Sequence, residues 1–570
     1  MSQNGNGSKP DFVTINIDGQ DYQAPNGVNL IDALHGLGKE IPHYCYHPKL
    51  SVVGNCRMCM VEMGMPMRDR ATGEPVLDDN GVQKIGWMPK PAIACSSKVM
   101  PGLHLRLESE LTRNCREGVM EFLLVNHPLD CPICDQAGEC SLQEFATDYG
   151  RGFSRFVDEK NSKPKRVRVG PRVMLDNERC ILCSRCIRFC DEIDKDPVLG
   201  FVERGSHSMI ATAPGRQLDS NYSLNTVDIC PVGALTSTDF RFKMRVWFLK
   251  RTRSICTESS TGVNTEVWSR EGVVYRITPR RNDAVNDTWM PDSGRELYKQ
   301  IEADNRKADY RVDNNRTTIH TALDRARELA CLGKVAFVAN GRASVEEQYV
   351  IGQFAKALGA EIHLVAHHRE GDGRLISEDA TPNLRGALLT GLTDTLPADN
   401  LETLAARIEA GEVKTVIALN EDVKASGLKA EHLKTANLID IGTHTHSASG
   451  HARVSLPSLT VFEKTGSFVN RQFRLQTFQQ AVPGPAGVLP DTHLLARLQA
   501  EITGQPVEPL SLTAIWERLS MSVPQFAGLR FADIPEEGQP LEMAVFADLP
   551  FCEQPGWHFE PAAEAAALLG

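Results

Sequence analysis

The sequence predicts a multidomain chain, α+β in a cysteine-rich front and α/β in the back half. Three observations carry that reading. Thirteen of the 16 cysteines lie between Cys45 and Cys230, and only Cys256, Cys331 and Cys552 follow. Short alternating strands and brief helices surround those cysteines. From about residue 315, buried strands and amphipathic helices alternate instead, the pattern of a parallel sheet. The 570 residues suffice for several domains, and 41% hydrophobic with 24% charged residues is ordinary globular composition.

A formal net charge of -11 argues against a general nucleic-acid binder. The opening MSQNGNGSKPD is polar, has no apolar run and reads as disordered over residues 1–10. No apolar stretch is long enough to span a bilayer, so the expectation is a soluble, cytoplasmic protein. A disulfide framework suits small secreted domains, which this chain is not, so metal ligation is the default for its cysteines.

Residues 11–105 open with FVTINIDGQDYQA, where Val13, Ile15 and Ile17 alternate before an Asp18-Gly19 hairpin turn. NLIDALHGLG reads as a short helix ending at glycine. Cys45, Cys56, Cys59 and Cys95 follow as C-x10-C-x2-C-x35-C, with an inserted hairpin carrying a DNG turn between the last two. One close pair flanked by two single cysteines suits a [2Fe-2S] rhomb, whose irons each take two thiolates. Zinc ribbons normally show two close pairs.

Residues 165–248 carry DNERCILCSRCIRFC, with Cys180, Cys183 and Cys186 spaced C-x2-C-x2-C, then Cys190, and far downstream Cys230-Pro231. Three close thiolates and a remote Cys-Pro are the ligand pattern of one [4Fe-4S] cubane. Cys190 stands where a second cubane would draw a ligand. The stretch with Tyr222, Asn225 and Asp228 has no cysteine to complete that cluster, so Cys190 reads as a free buried thiol.

Between them, over residues 106–160, ELTRNCREGVMEFLLVNHP reads as a helix with Val119, Phe122 and Leu123 on one face. Cys131-x2-Cys134-x5-Cys140 follows, three thiolates without a fourth. His127, delivered by the helix end and followed by Pro128, is one candidate for the open corner, because imidazole replaces thiolate in some clusters. Cys115, further back on the helix, is the rival.

In this order, the [2Fe-2S] spacing, H-x3-C-x2-C-x5-C and C-x2-C-x2-C…C-P resemble the large peripheral-arm iron–sulfur subunit of NADH-quinone oxidoreductase, respiratory complex I. The resemblance covers about residues 10–245. It implies that His127 completes the middle set, and that Cys115 and Cys190 are not ligands. The implied cofactors are one [2Fe-2S] cluster on Cys45, Cys56, Cys59 and Cys95 and two [4Fe-4S] clusters. One [4Fe-4S] cluster sits on His127, Cys131, Cys134 and Cys140, the other on Cys180, Cys183, Cys186 and Cys230. The implied folds are a [2Fe-2S] ferredoxin-like β-grasp domain, a helical histidine-ligated domain and a bacterial-ferredoxin-like domain.

The same front occurs in iron hydrogenases, NAD-linked hydrogenase subunits and some formate dehydrogenases, so the back half must discriminate. Residues 249–305 read as a small β-rich domain. Cys256 stands alone where related proteins carry a further cluster motif, with Ser259 and Val263 at the next ligand positions, so that cluster is expected to be absent. Residues 306–570 resemble a shortened molybdopterin-oxidoreductase α/β domain, including EKTGSFVNRQFRLQ, and offer no molybdenum ligand. No G-x-G-x-x-G or G-x4-G-K-[ST] follows a strand, so neither flavin nor nucleotide is expected here. His444, His446 and His451 read as a polar loop, and Lys163, Lys165, Arg166, Arg168 and Arg172 as a solvated connector or subunit contact.

The resemblance thus implies an electron wire. Electrons enter from an NADH/FMN-binding subunit and leave to a ferredoxin-like subunit toward the quinone site. The complex couples this to proton translocation, and the chain lies peripherally on the cytoplasmic side of the inner (plasma) membrane. The alternative is the iron–sulfur subunit of an NAD-linked hydrogenase or formate dehydrogenase. A zinc-bound scaffold, a third possibility, would be colourless.

Overall fold

The computed structural model describes residues 11–398, 400–507, 510–552 and 557–558. The expected disorder of residues 1–10 lies outside them. The described residues divide into two compact units, one ending at Trp247 and one running Phe248–His558.

The first unit begins with the expected hairpin. Phe12–Ile17 pairs antiparallel with Gln20–Pro25, and Asp18 and Gly19 both take positive φ, 49° and 89°, as a two-residue turn requires. Phe12–Ile17 also lies parallel to His104–Arg106, which pairs with Met60–Pro66. Ile15 and Ile17 point into a core closed by Leu30 and Leu34 of the helix Leu30–Gly36. The Asn29 side chain caps that helix by accepting from the Ile31 N–H at 2.9 Å. Between Cys59 and Cys95 the chain makes an antiparallel excursion, Met60–Pro66 against Ile85–Trp87, and the Asp78 carboxylate accepts from the Asn80 and Val82 N–H groups at its turn.

The helix Glu110–Leu124 forms as the sequence predicts, capped by Ser109, but it buries a different face. Thr112, Arg116 and Met120 are the buried residues, one row at i, i+4, i+8, whereas Phe122 is 83% exposed. The apolar set Val119, Phe122, Leu123 misleads because a cation sits on the core side. Arg116 is held there by Glu108 at 3.0 Å and lies over the Tyr149 ring.

Past the helix Ser141–Tyr149, a small sheet of Val167–Arg168, Val173–Leu175 and Leu235–Ser237 frames the third cysteine group. The helix Arg185–Arg188 runs straight into a wide turn at Phe189–Ile193, closed by the Asp194 N–H on the Phe189 carbonyl at 3.0 Å.

The second unit opens with the antiparallel meander Lys250–Ile255, Asn264–Arg270, Val273–Pro279. Its main sheet has seven strands. Lys334–Asn340, Glu361–Val365, Val413–Leu419, Asn437–Gly442 and Ala452–Pro457 are parallel, and Tyr310–Val312 adds an antiparallel strand beside the last. Parallel sheets need cover on both faces, which is why KVAFVAN, TVIALN and NLIDIG read as near-continuous apolar runs. The helices Ile319–Ala330 and Val345–Leu358 pack on this sheet, the second opened by a Ser344/Glu347 capping box and closed at Gly359 with φ 58°.

Candidate iron–sulfur ligand sets

Most of the candidate ligands sit on loops or single turns, Cys186 being the exception on the helix Arg185–Arg188. In the first, Cys45, Cys59 and Cys95 are buried and Cys56 is half-buried. The four thiols hydrogen-bond among themselves. Bonds from Cys56 and Cys95 hold the Cys45 thiol far below its usual range, and a bond from Cys95 lowers Cys59. The donors Cys56 and Cys95 are pushed up correspondingly. The backbone amides of Asn55 and Cys56 also reach Cys45. Arg57, between the paired cysteines, takes φ 60°, a left-handed conformation that costs on the order of 1–3 kcal/mol and persists because the loop demands it.

In the third group, Cys180, Cys183, Cys186 and Cys230 line one small cavity, walled by Leu175, Ile210 and Val232. Leu182 and Ser184, either side of Cys183, have φ of 56° and 62°. These turns aim amides inward: Leu182 N–H reaches Cys180 Sγ at 3.4 Å, and Arg185 N–H reaches Cys183. The Val232, Ala234 and Leu235 amides do the same for Cys230. Burial pushes Cys180 up to about 12 and Cys230 to about 11, so metal binding here must expel protons. Cys190 does not line this cavity. It is fully buried, and burial with nearby Asp194 and Asp196 pushes it to about 12.

The middle group is the most open. Cys131 is exposed, Cys134 and Cys140 are half-buried, and the three thiols lie within electrostatic reach of one another. Arg245 braces their loop through the Pro132 and Cys134 carbonyls. His127 follows the helix end, its N–H on the Leu124 carbonyl at 3.1 Å. Burial first, then the charges of Lys160 and Arg179, holds its imidazole at about 4, so the ring is neutral and its nitrogen lone pair is available near pH 7. Arg179 stands close to both His127 and Cys134 and is anchored on Asp130 at 3.0 Å. Cys115 lies on the helix two turns before its end.

The three groups are neighbours. Cys45 is near enough to Cys183 to oppose its ionisation. Tyr44, fully buried, lies within electrostatic reach of both Cys56 and Cys140. A Cβ on Gly233, three residues after Cys230, would meet Cys134 Sγ at 2.3 Å, so only glycine lets that backbone pass. Sequence reading misses Gly233, Arg179, Arg185 and Arg188. The two arginines inside CSRCIRFC carry no signal of their role in the sequence, because their carbonyl partners on the Cys45 loop lie far away along the chain.

Four thiols meeting with amides aimed at them is the donor set an iron–sulfur cluster requires, soft sulfur with hydrogen bonds to it. Among the described residues no three or more His, Cys, Asp or Glu side chains form a group set for a single metal ion. A cluster differs in spreading its ligands around a core of several atoms.

Elsewhere several of the singled-out residues have internal partners. His444 bonds the Gln300 carbonyl and His446 bonds Asp440. Lys165 bridges Asp130 and Glu178, and Lys163 Nζ donates to the Ser208 carbonyl. Cys256, just after the strand Lys250–Ile255, is buried beside Gly294, and burial pushes its thiol to about 12. Ser259 and Val263 beside it are buried too. Among the described residues no helix is long and apolar enough to cross a membrane.

Four family models match. They are a 2Fe-2S iron-sulfur cluster binding domain over residues 11–84, and the NADH-ubiquinone oxidoreductase-G iron-sulfur binding region over 116–155. The ferredoxin-like domain of NADH-quinone oxidoreductase subunit 3 matches 170–236, and a NADH-ubiquinone oxidoreductase NDSU1/NuoG-like 4Fe-4S domain matches 249–299. The last match falls where the chain has Cys256 as its sole cysteine.

The G subunit of NADH-quinone oxidoreductase from Rickettsia felis is 36% identical over 361 residues, 62% of this chain and 50% of that protein. The mitochondrial NADH dehydrogenase [ubiquinone] iron-sulfur protein 1 of Solanum tuberosum is 34% identical over 463 residues, 77% and 58%. The mitochondrial NADH-ubiquinone oxidoreductase 78 kDa subunit of Neurospora crassa is 43% identical over 295 residues, 50% and 36%. A crystal structure of an NAD+-reducing [NiFe]-hydrogenase in the H2-reduced state matches 41% of this chain and 91% of its own at 26% identity, with a TM-score of 0.33, too low to bear on the fold. The chain spans about half the length of the curated relatives it matches, and over its iron–sulfur modules it is a relative of the G subunit of NADH-quinone oxidoreductase.

Proposed function

We propose that the chain is the electron-transfer subunit of an NADH-quinone oxidoreductase. Electrons come from an NADH/FMN-binding subunit and go on to a ferredoxin-like subunit toward the quinone site, and the complex couples that flow to proton translocation. The observation that carries this is the adjacency of three sulfur-rich sets in one unit: Cys45 beside Cys183, and Cys134 beside Gly233 of the Cys230 segment. Clusters held there supply one-electron redox chemistry without bond changes in the protein.

The chain's own residues provide ligands, burial and amide hydrogen bonds. The proposed [2Fe-2S] ligands are Cys45, Cys56, Cys59 and Cys95. The proposed [4Fe-4S] ligands are Cys180, Cys183, Cys186 and Cys230 for one cluster, and His127, Cys131, Cys134 and Cys140 for the other. Tyr44, the Gly233 backbone and the paired arginines keep the sets packed together. Proposed domain limits are 11–105, 106–160, 165–248, 249–305 and 306–570, with neither molybdenum nor flavin in this chain. The proposed location is peripheral, on the cytoplasmic side of the inner membrane within the complex.

Metal analysis of the full chain loaded with iron and sulfide tests the reading, which expects about 10 irons per chain. A value near 14 would place a further cubane at Cys256, and that value or a stoichiometric molybdenum signal would turn the reading from electron conduit toward catalytic subunit. Stoichiometric zinc in a colourless protein would end the electron-transfer reading altogether.

A further inference from the structure

The loops of the first and third sets are cross-braced by two arginines. Both come from the helix Arg185–Arg188, between the ligands Cys183 and Cys186 and just after them. Arg188 is 9% exposed. Its guanidinium donates to the Cys45 and Ser51 carbonyls, and its Nε donates to Ser184 Oγ at 3.2 Å. Arg185 donates to the Tyr46 carbonyl and, at 3.2 Å, to the Ile229 carbonyl next to Cys230. Two further ties cross the same gap. Asn55 Nδ2 donates to the Leu182 carbonyl at 3.2 Å, and Glu192 accepts from the Ser51 N–H at 2.7 Å.

Guanidinium is the group suited to this place. Its fixed fork spans two carbonyls at once, which the point charge of an ammonium does not. The charge is not idle. Both guanidinium groups sit on the helix that holds Cys186 and touch the backbone of the Cys45 loop, so both cations stand beside the first and third sets. Glu192 is the carboxylate facing Arg188, so the pair leaves net positive charge between the two sets. Buried charge is screened far less than surface charge, and it favours the more negative state of whatever lies beside it.

We propose that Arg185 and Arg188 are positioning residues for electron passage: they lock the Cys45 loop against the Cys183 loop and favour the reduced state at both sites. This rests on the electron-transfer reading above. Each passage moves one electron from a group on the first set to a group on the third, with no bond made and no proton required. The donor is oxidised by one electron and the acceptor reduced by one, the electron being drawn originally from NADH by the partner subunit.

The test is an EPR-monitored redox titration of the full chain, loaded with iron and sulfide and reduced with dithionite, as wild type, Arg188→Gln, Arg188→Lys and Arg185→Gln. Either glutamine variant is expected to make reduction at least tenfold less favourable at the first and third sets. That is a fall of about 59 mV for one electron, with the middle-set signal unmoved. Arg188→Lys keeps the charge and is expected to restore the potentials. Unmoved potentials in the glutamine variants at full iron content would overturn the proposal. So would equal iron loss in the glutamine and lysine variants of Arg188, the mark of a merely structural role; Arg185→Gln supplies the reading if Arg188→Gln does not hold iron. A wild-type chain without the two signals would sink the electron-transfer reading itself.

Discussion

Lys464, in the EKTGSFVN segment, is the perturbation with the clearest energetic consequence. Its ammonium donates to Glu347 at 2.6 Å and to Asp491 at 2.7 Å, and all three side chains are buried or nearly so. Glu347 also accepts from the Ser344 N–H at 2.8 Å, completing the capping box of the helix Val345–Leu358. Lys464→Met keeps the volume but leaves two carboxylates buried against each other. Breaking a buried pair this way costs about 3–5 kcal/mol, and the melting temperature of this unit should fall by roughly 10 °C. Burial pushes Glu347 up to about 7, while Lys464 and hydrogen bonds hold Asp491 low. The sign for Glu347 follows: a raised folded pKa contributes stability in full below the unfolded value of about 4.3. That contribution is lost as pH rises through about 7. Asp491, ionised throughout, adds no slope in this window. Stability should therefore decline between about pH 4.3 and about pH 7, and Glu347→Gln should flatten the decline. Thermal unfolding followed by fluorescence of buried Trp289 and Trp516 measures both effects. A Lys464→Met protein melting within 2 °C of wild type, or a pH slope unchanged in Glu347→Gln, would refute the reasoning.

At the middle set, His127→Ala should lose or destabilise its cluster, whereas His127→Cys should keep one at lower potential, because thiolate adds a negative charge that imidazole lacks. An unchanged EPR spectrum in His127→Ala would remove histidine from the ligand set. At the third set, Cys230→Ala should abolish one cubane signal and about 4 irons per chain, and Cys190→Ala should abolish none. The reverse result would exchange the two cysteines.

What the sequence by itself determined is periodic or punctuated. Strand alternation at Val13, Ile15 and Ile17, the Asp18-Gly19 turn and the apolar runs of the parallel sheet depend on residue type and spacing alone. So do the cysteine groupings, because C-x2-C-x2-C is a local loop geometry. The resemblance then supplied His127, which three nearby cysteines alone could not separate from Cys115. Only the tertiary structure decided which face the helix Glu110–Leu124 buries, since a cation paired with Glu108 outweighs its apolar neighbours. It also decided how the ligand sets meet. Cys45 approaches Cys183, and Gly233 passes Cys134, across separations in sequence that no local pattern spans. Arg185 and Arg188 read as ordinary charged residues until the fold sets them, the first half-buried and the second buried, against carbonyls more than a hundred residues away. Burial converts a solvated surface charge into a fixed one, and burial is a property of the whole fold rather than of any one stretch of chain.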